Sequence, residues 1–154
     1  MKRMSAGLLM YRRREGGIKV LLGHPGGPYF QAKDEGAWGI PKGEPNPGEE
    51  LLTAAIREFN EETGLVATGP FIELTPIQQK GGKWVHAWAF AGDCDPAAIV
   101  SNTCFIEWPR KSGRQIEIPE LDRVAFFDLT QARRKIRPAQ APLLDELATA
   151  LAAH

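Results

Sequence analysis

Glu58, Glu61 and Glu62 stand at positions i, i+3 and i+4 of the segment LLTAAIREFNEETGL. If that segment is helical, about 100° per residue places all three carboxylates on one side, within an arc of roughly 100°. Leu51, Leu52, Ala55, Ile56 and Phe59 fill the adjacent arc, the width of a core-facing stripe. One face would pack while the next concentrates negative charge. Like charges at this spacing destabilise an isolated helix, and a divalent cation would offset them. Hard oxygen ligands select Mg²⁺, Mn²⁺ or Ca²⁺. Mg²⁺ in particular favours a few carboxylates together with substrate phosphates. The ordinary alternative is an acidic face left to solvent, so the flanking residues decide between the two.

Those flanks punctuate the helix. Asn46 fits an N-cap, Pro47 the first helical position, and Glu49 the acid of a capping box. Gly64 suits the left-handed residue that ends a helix.

Gly43, then five residues, Glu49, then seven residues, and Arg57-Glu58-Phe59-Asn60-Glu61-Glu62-Thr63-Gly64-Leu65 resembles the Nudix box. That box marks hydrolases of nucleoside diphosphates linked to a further group. Phe59 is the departure, since the family usually has Ile, Leu or Val there; it remains apolar and on the core stripe. The resemblance implies that Glu58 and Glu62 bind Mg²⁺, with Mn²⁺ a possible substitute, and that Glu61 is a third ligand or a base. It implies that the main-chain carbonyl of Lys42 joins the coordination shell and that Arg57 holds the acidic cluster in position. Arg57 lies four residues before Glu61 and can reach it across one turn. Glu49 doubles as the capping acid. Glu120, in Pro119-Glu120-Leu121-Asp122-Arg123-Val124, stands where several family members place a glutamate that binds metal or acts as general base.

Substrate recognition is less legible. Trp38, Trp84, Trp88, Tyr29 and Phe30 offer aromatic faces for a nucleobase, though most aromatics in a domain this size are core. Lys42, Lys80, Lys83, Arg110, Arg114 and Arg123 are the cations that could meet phosphates. Of these, Trp38, Lys42, Tyr29 and Lys83 are the expected substrate contacts. His86 reads as an ordinary strand residue. Trp38-Gly39-Ile40-Pro41-Lys42-Gly43 resembles the segment before the box in hydrolases of dinucleoside polyphosphates and diphosphoinositol polyphosphates. The expected substrate is a dinucleoside polyphosphate or nucleoside triphosphate. A nucleotide-sugar or diphosphoinositol polyphosphate hydrolase, and a non-catalytic nucleotide-sensing module, remain alternatives.

The whole chain agrees with a small-molecule enzyme. Its 154 residues predict one domain over 1–154, large enough for a core. Net charge is zero, which argues against general nucleic-acid binding. No apolar run has the length of a membrane span, and Met1 to Arg14 lacks a cleavage-site pattern. Cys94 and Cys104 lack metal or redox spacing, so reduced thiols and a cytoplasmic protein are expected, as monomer or homodimer.

Strands are predicted over Ser5–Tyr11, Ile18–Gly23, Phe71–Gln79, Trp84–Ala91, Cys104–Trp108, Gln115–Ile118 and Arg123–Phe127. Gly23–Pro28 reads as a loop. Asp128 or Thr130 would cap a helix to Ile136, and Ala139–Ala152 a final helix. This order is α+β with mixed pairing. The resemblance implies the Nudix fold, a mixed β-sandwich between helices (α/β/α).

Overall fold

Strand β1 (Met4–Arg14) runs through the centre of the computed structural model, which describes residues 3–152. Residues 1, 2, 153 and 154 of the expected single domain lie outside them. Both faces of β1 are covered, which is why SAGLLM reads as an apolar run rather than an alternation. Leu9 faces one core; Ala6, Leu8 and Met10 face the other.

β1 pairs antiparallel with β2 (Gly17–Pro25) and parallel with β6 (Trp84–Ala91), from Met4↔Trp84 to Tyr11↔Ala91. β9 (Leu121–Asp128) extends the sheet beyond β2. The short strands β4 (Ile72–Glu73) and β5 (Ile77–Gln78) line β6, while β3 (Lys42–Gly43) pairs with β1. Helix α1 (Leu51–Thr63) covers one face through Ala54, Ala55 and Phe59. Helices α2 (Leu129–Lys135) and α3 (Ala141–Ala152) cover the other, with Leu143, Leu144, Leu147 and Leu151 buried at helical spacing. The result is the expected α+β sandwich. A separate hairpin, β7 (Thr103–Glu107) and β8 (Gln115–Pro119), precedes β9.

Several local expectations need correction. α1 starts at Leu51, not next to Asn46, and its N-cap residue Glu50 makes no side-chain cap. Gly48 is the reason, since its φ of +77° turns the chain out of helical geometry. Only the acid's half of a capping box forms: Asn46 N–H donates to Glu49 Oε1 at 2.9 Å, while Glu49 N–H donates to the main-chain carbonyl of Asn46, not to its side chain, also at 2.9 Å. They close a turn ahead of the helix. Gly64 ends α1 as expected, at φ +79°.

The strand expected over Phe71–Gln79 is broken at Leu74–Pro76. Pro76 has no N–H to give a ladder, and Glu146 of α3 takes the Thr75 N–H at 2.8 Å. The expected loop at Gly23–Pro28 is strand as far as Pro25, because pairing with β9 continues to Pro25↔Leu121 across a bulge. The last helix begins at Ala141; Pro138–Gln140 form a 3₁₀ turn. Asp128 caps α2, accepting from Gln131 N–H at 2.8 Å.

Candidate active site

The site is assembled where β3, α1 and the β8–β9 junction meet. β3 owes its position to Gly7. A Cβ there would come within 2.6 Å of Pro41 O, so only glycine lets β1 approach so closely. Leu8 N–H donates to Pro41 O at 3.2 Å, and Gly7 pairs with Lys42. Lys42 and Gly43 are thereby fixed against α1. The side chain of Glu58 then packs directly on Gly43, where a Cβ would overlap its carboxyl group. This close approach explains why the segment requires glycine at 43.

Arg57 is the hub of the acidic face. Its Nε and Nη2 grip the Glu49 carboxylate in a two-pronged bond, each at 2.9 Å. Nη1 donates to Glu58 Oε1 at 2.9 Å and to both Glu61 oxygens at 3.1 and 3.2 Å. Nη2 also reaches Glu44 O at 3.1 Å. The Arg57 bond, then the Asn46 N–H, hold the Glu49 carboxyl well below the usual carboxylate range. Glu49 is thus the anchor of Arg57, and Arg57 sets Glu58 and Glu61. The expected i to i+4 reach from Arg57 to Glu61 is present.

Glu62 turns the other way, into a cleft of about 150 Å³ shared with Lys42, Glu120, Gly39, Gln140 and Arg137. Its side chain is buried. Burial, then the charge of Glu120, then that of Glu58, push its carboxyl up to about 9. Lys42 N–H and the Lys42 charge oppose that shift. Lys42 is pressed below its ordinary value by burial first, then by Lys83 and Arg137. Glu58 is raised, chiefly by burial. So a crowd of carboxylates faces a crowd of cations across one small cleft.

Glu120 reaches this cleft through main-chain bonds. Asn102 N–H donates to Glu61 O at 2.8 Å, and Glu120 N–H donates to Asn102 O at 2.9 Å. Gly26 N–H in turn donates to Glu120 O at 3.1 Å. A backbone chain therefore runs from the end of α1 to the β8–β9 junction.

The residues fit a divalent cation. Glu58, Glu62 and Glu120 are clustered hard-oxygen donors, and Glu58 and Glu62 are raised in pKa first by burial and then by neighbouring carboxylates, Glu120 among them. Among the described residues, no three acidic, His or Cys side chains stand grouped closely enough to hold a metal ion. Arg57 shares Glu58 and Glu61 between them instead.

The expected substrate residues fare unevenly. Lys42 lines the cleft. Lys83 pairs with Glu44 at 3.2 Å, and its charge is felt at Lys42. Trp38 is a correction. It is 3% exposed, its indole N–H donates to Asp34 at 2.8 Å, and His24, Phe127 and Arg123 surround the ring. No face is left for a base. Tyr29 is a second correction. It packs edge-on against Trp108 and donates to Glu107 O at 3.1 Å, on the β7–β8 hairpin and outside the cleft. Arg110 and Arg123 are likewise taken up, over the rings of Tyr29 and Trp38.

Arg137 and Gln140 are cleft residues that the sequence did not signal. Gln140 is fully buried; it accepts from Ile40 N–H at 3.0 Å and donates to Gln79 at 3.0 Å. It also fills the space beside Gly39. Both residues follow α2 in a turn with no motif of its own.

The model of the NUDIX domain matches residues 1–147. The chain belongs to the Nudix family. Among solved Nudix structures, the Ap4A hydrolase of C. elegans in a binary complex aligns with 97% of this chain and 99% of that one, at 23% identity and a TM-score of 0.69. The NUDIX domain of Shewanella oneidensis NrtR, complexed with ADP ribose, covers 98% and 89% at 14% identity and the same TM-score. These likenesses show the fold. In sequence, the mRNA-decapping protein g5R of African swine fever virus is 50% identical over 52 residues, or 32% of this chain and 20% of the viral protein. Nudix hydrolase 7 of Arabidopsis thaliana is 40% identical over 47 residues, 30% of this chain and 16% of the plant protein. This Nudix chain thus matches only about a fifth of the length of such relatives. Nudix enzymes generally use divalent metals, and the acidic face described above is made of the box glutamates. No helix among the described residues is long and apolar enough to cross a membrane.

Proposed function

We propose that this Nudix chain is a pyrophosphohydrolase that uses Mg²⁺, or Mn²⁺ in its place, to cleave a phosphoric anhydride in a dinucleoside polyphosphate or nucleoside triphosphate. The observation that carries this reading is the cleft, where Glu62 and Glu120 face Lys42 and Arg137. Carboxylates there would hold the cation, and cations would hold the phosphates. The nucleotide-sugar alternative has less to explain a second unpaired cation beyond the lysine.

Glu58 and Glu62, with Glu61 or Glu120 and the Lys42 carbonyl, would hold the metal. When bound, it supplies charge neutralisation at phosphate and acidifies water. The chain's own residues do the rest. Lys42 binds and orients the phosphate that is attacked. Glu120 takes the proton of the attacking water as a new P–O bond forms and the anhydride P–O bond breaks, releasing a phosphorylated leaving group. Glu120 suits the base role better than Glu61, because both Glu61 oxygens are engaged by Arg57 while Glu120 lines the cleft. Arg57 keeps the box carboxylates in register.

A substrate panel tests the reading. Purified protein with Mg²⁺ should cleave diadenosine tetraphosphate or a nucleoside triphosphate faster than ADP-ribose, a nucleotide sugar or a diphosphoinositol polyphosphate. A reversed order by about tenfold or more, a difference of ~1.4 kcal/mol in transition-state binding, rejects it. No Mg²⁺-dependent cleavage of any panel member favours a sensing module.

A further inference from the structure

A second, larger cavity of about 540 Å³ adjoins the cleft, bordered by Phe30, Lys33, Asp34, Glu35, Lys80 and Arg137. Among the described residues, Arg137 is the residue that lines both spaces. Its position is set by the main chain. Arg137 N–H donates to Trp38 O at 2.8 Å, and Trp38 pairs with Ile136 as an isolated parallel bridge. The side chain is therefore free to vary without loosening the turn.

The guanidinium is half-buried and forms no ion pair among the described residues. Burial alone presses its pKa down, with no carboxylate to counter it. The nearby acid Asp34 is already engaged by Lys135 and by the Trp38 indole. A partly desolvated, unpaired cation is costly to maintain. An incoming anion relieves that cost, and a guanidinium fork matches phosphate oxygens in pairs.

The acids Asp34 and Glu35 share the wall of the second cavity with Lys33 and Lys80, so the positive charge without a carboxylate partner is at Arg137, where the two spaces meet. Phe30 has Lys33 Nζ 5.4 Å and Arg137 Cζ 5.6 Å from its ring centroid. Both cations thus stand beside the one aromatic ring of the cavity. Lys80 adds a further positive charge to the wall.

We propose that Arg137 binds a phosphate beyond the bond being cleaved, at the passage between the two spaces, and so makes the enzyme prefer substrates with three or more phosphates in a row. Phosphates past Arg137 enter the cavity walled by Lys33 and Lys80. A longer phosphate chain anchored at Lys42 reaches further toward that cavity than a diphosphate does. The proposal deepens the pyrophosphohydrolase reading and rests on it for the direction of the chain.

Two measurements on the full chain separate the two ideas. The first is calorimetric binding of inorganic tripolyphosphate and pyrophosphate without divalent metal. Wild type should bind tripolyphosphate about tenfold more tightly than pyrophosphate, Arg137→Gln should erase that difference, and Arg137→Lys, with charge but no fork, should keep part of it. The second is kcat/KM with Mg²⁺ across diadenosine diphosphate, triphosphate, tetraphosphate and pentaphosphate. The wild-type value should climb with phosphate number and the Arg137→Gln series should be flat. Equal tripolyphosphate binding by wild type and Arg137→Gln, or an unchanged chain-length preference in a folded variant, overturns the role of Arg137. Arg137-dependent tripolyphosphate binding with no cleavage of any member overturns the hydrolase reading and leaves the anion site standing.

Discussion

The carboxyl group of Glu58 occupies the space that a Cβ on residue 43 would need. Gly43→Ala should therefore push Glu58 off its position, not merely stiffen the strand. A displacement near 1 Å at a catalytic group costs about 10²-fold in rate. Gly43→Ala is expected to lose activity on that order, with a stability cost of about 1–3 kcal/mol from overpacking. Steady-state kinetics beside a thermal melt will show it; unchanged kcat in the folded variant removes the close approach as a determinant.

Metal and fold should separate cleanly on α1. Mg²⁺ at a hundredfold excess over Kd should stabilise wild type by about 2.7 kcal/mol. Glu58→Gln and Glu62→Gln should each lose most of that gain and most activity. Without metal, Glu62→Gln should melt at the wild-type temperature or slightly above, since the buried group no longer has to take up a proton on folding. Phe59, fully buried against Phe90, provides the contrast. Phe59→Ala should cost about 3–5 kcal/mol with or without metal. Equal metal-induced shifts in wild type and Glu62→Gln, with hydrolysis retained, would falsify the metal role of the box.

The pH dependence follows from Glu62. Its folded value of about 9 stands above the ordinary 4.5, so the native state keeps a proton that the unfolded chain gives up between those values. Stability of the metal-free protein should therefore fall as pH rises through that window. Cation binding requires the proton to leave, so apparent Mg²⁺ affinity should rise over the same range. Melting curves from pH 5 to pH 9, with and without Mg²⁺, test both slopes. A Glu62→Gln protein that retains the metal-free slope assigns it to another group.

Glu120→Gln tests the base. Loss of a general base typically lowers kcat by about 10²- to 10⁴-fold. Metal-induced stabilisation should change much less, because Glu58 and Glu62 remain. A drop in kcat under about threefold moves the role to Glu61.

Much of this is legible in the sequence, for physical reasons that differ by residue. The acidic face of α1 was legible because helical spacing and a glycine stop both act locally. β6 was legible because its apolar run matches a strand covered on both sides. The start of α1 was misplaced because Gly48 takes a left-handed turn that Asn46 and Pro47 do not advertise. Trp38 was misread because the same aromatic serves a core as well as a ligand, and only tertiary contacts with His24, Phe127 and Arg123 decide. Arg137 carried no signal at all. Its importance comes from chain segments far apart in sequence, Phe30 and Trp38 on one side and Lys42 on the other.

The tether from Glu61 O through Asn102 to Glu120 is made wholly of main-chain groups at both ends of the β7–β8 hairpin. The tether itself therefore needs no particular side chain at its middle residue, Asn102. The length of what lies between is free to drift, since Trp108 N–H already closes the hairpin onto Arg114 O at 2.9 Å. The hairpin tip is a natural graft point. Replacing Pro109–Gly113 with a two-residue Asn-Gly turn, or with a peptide tag, should leave kcat within about twofold of the parent. Variation in tip length among proteins with this layout would then report on what docks outside the catalytic cleft, not on the chemistry within it.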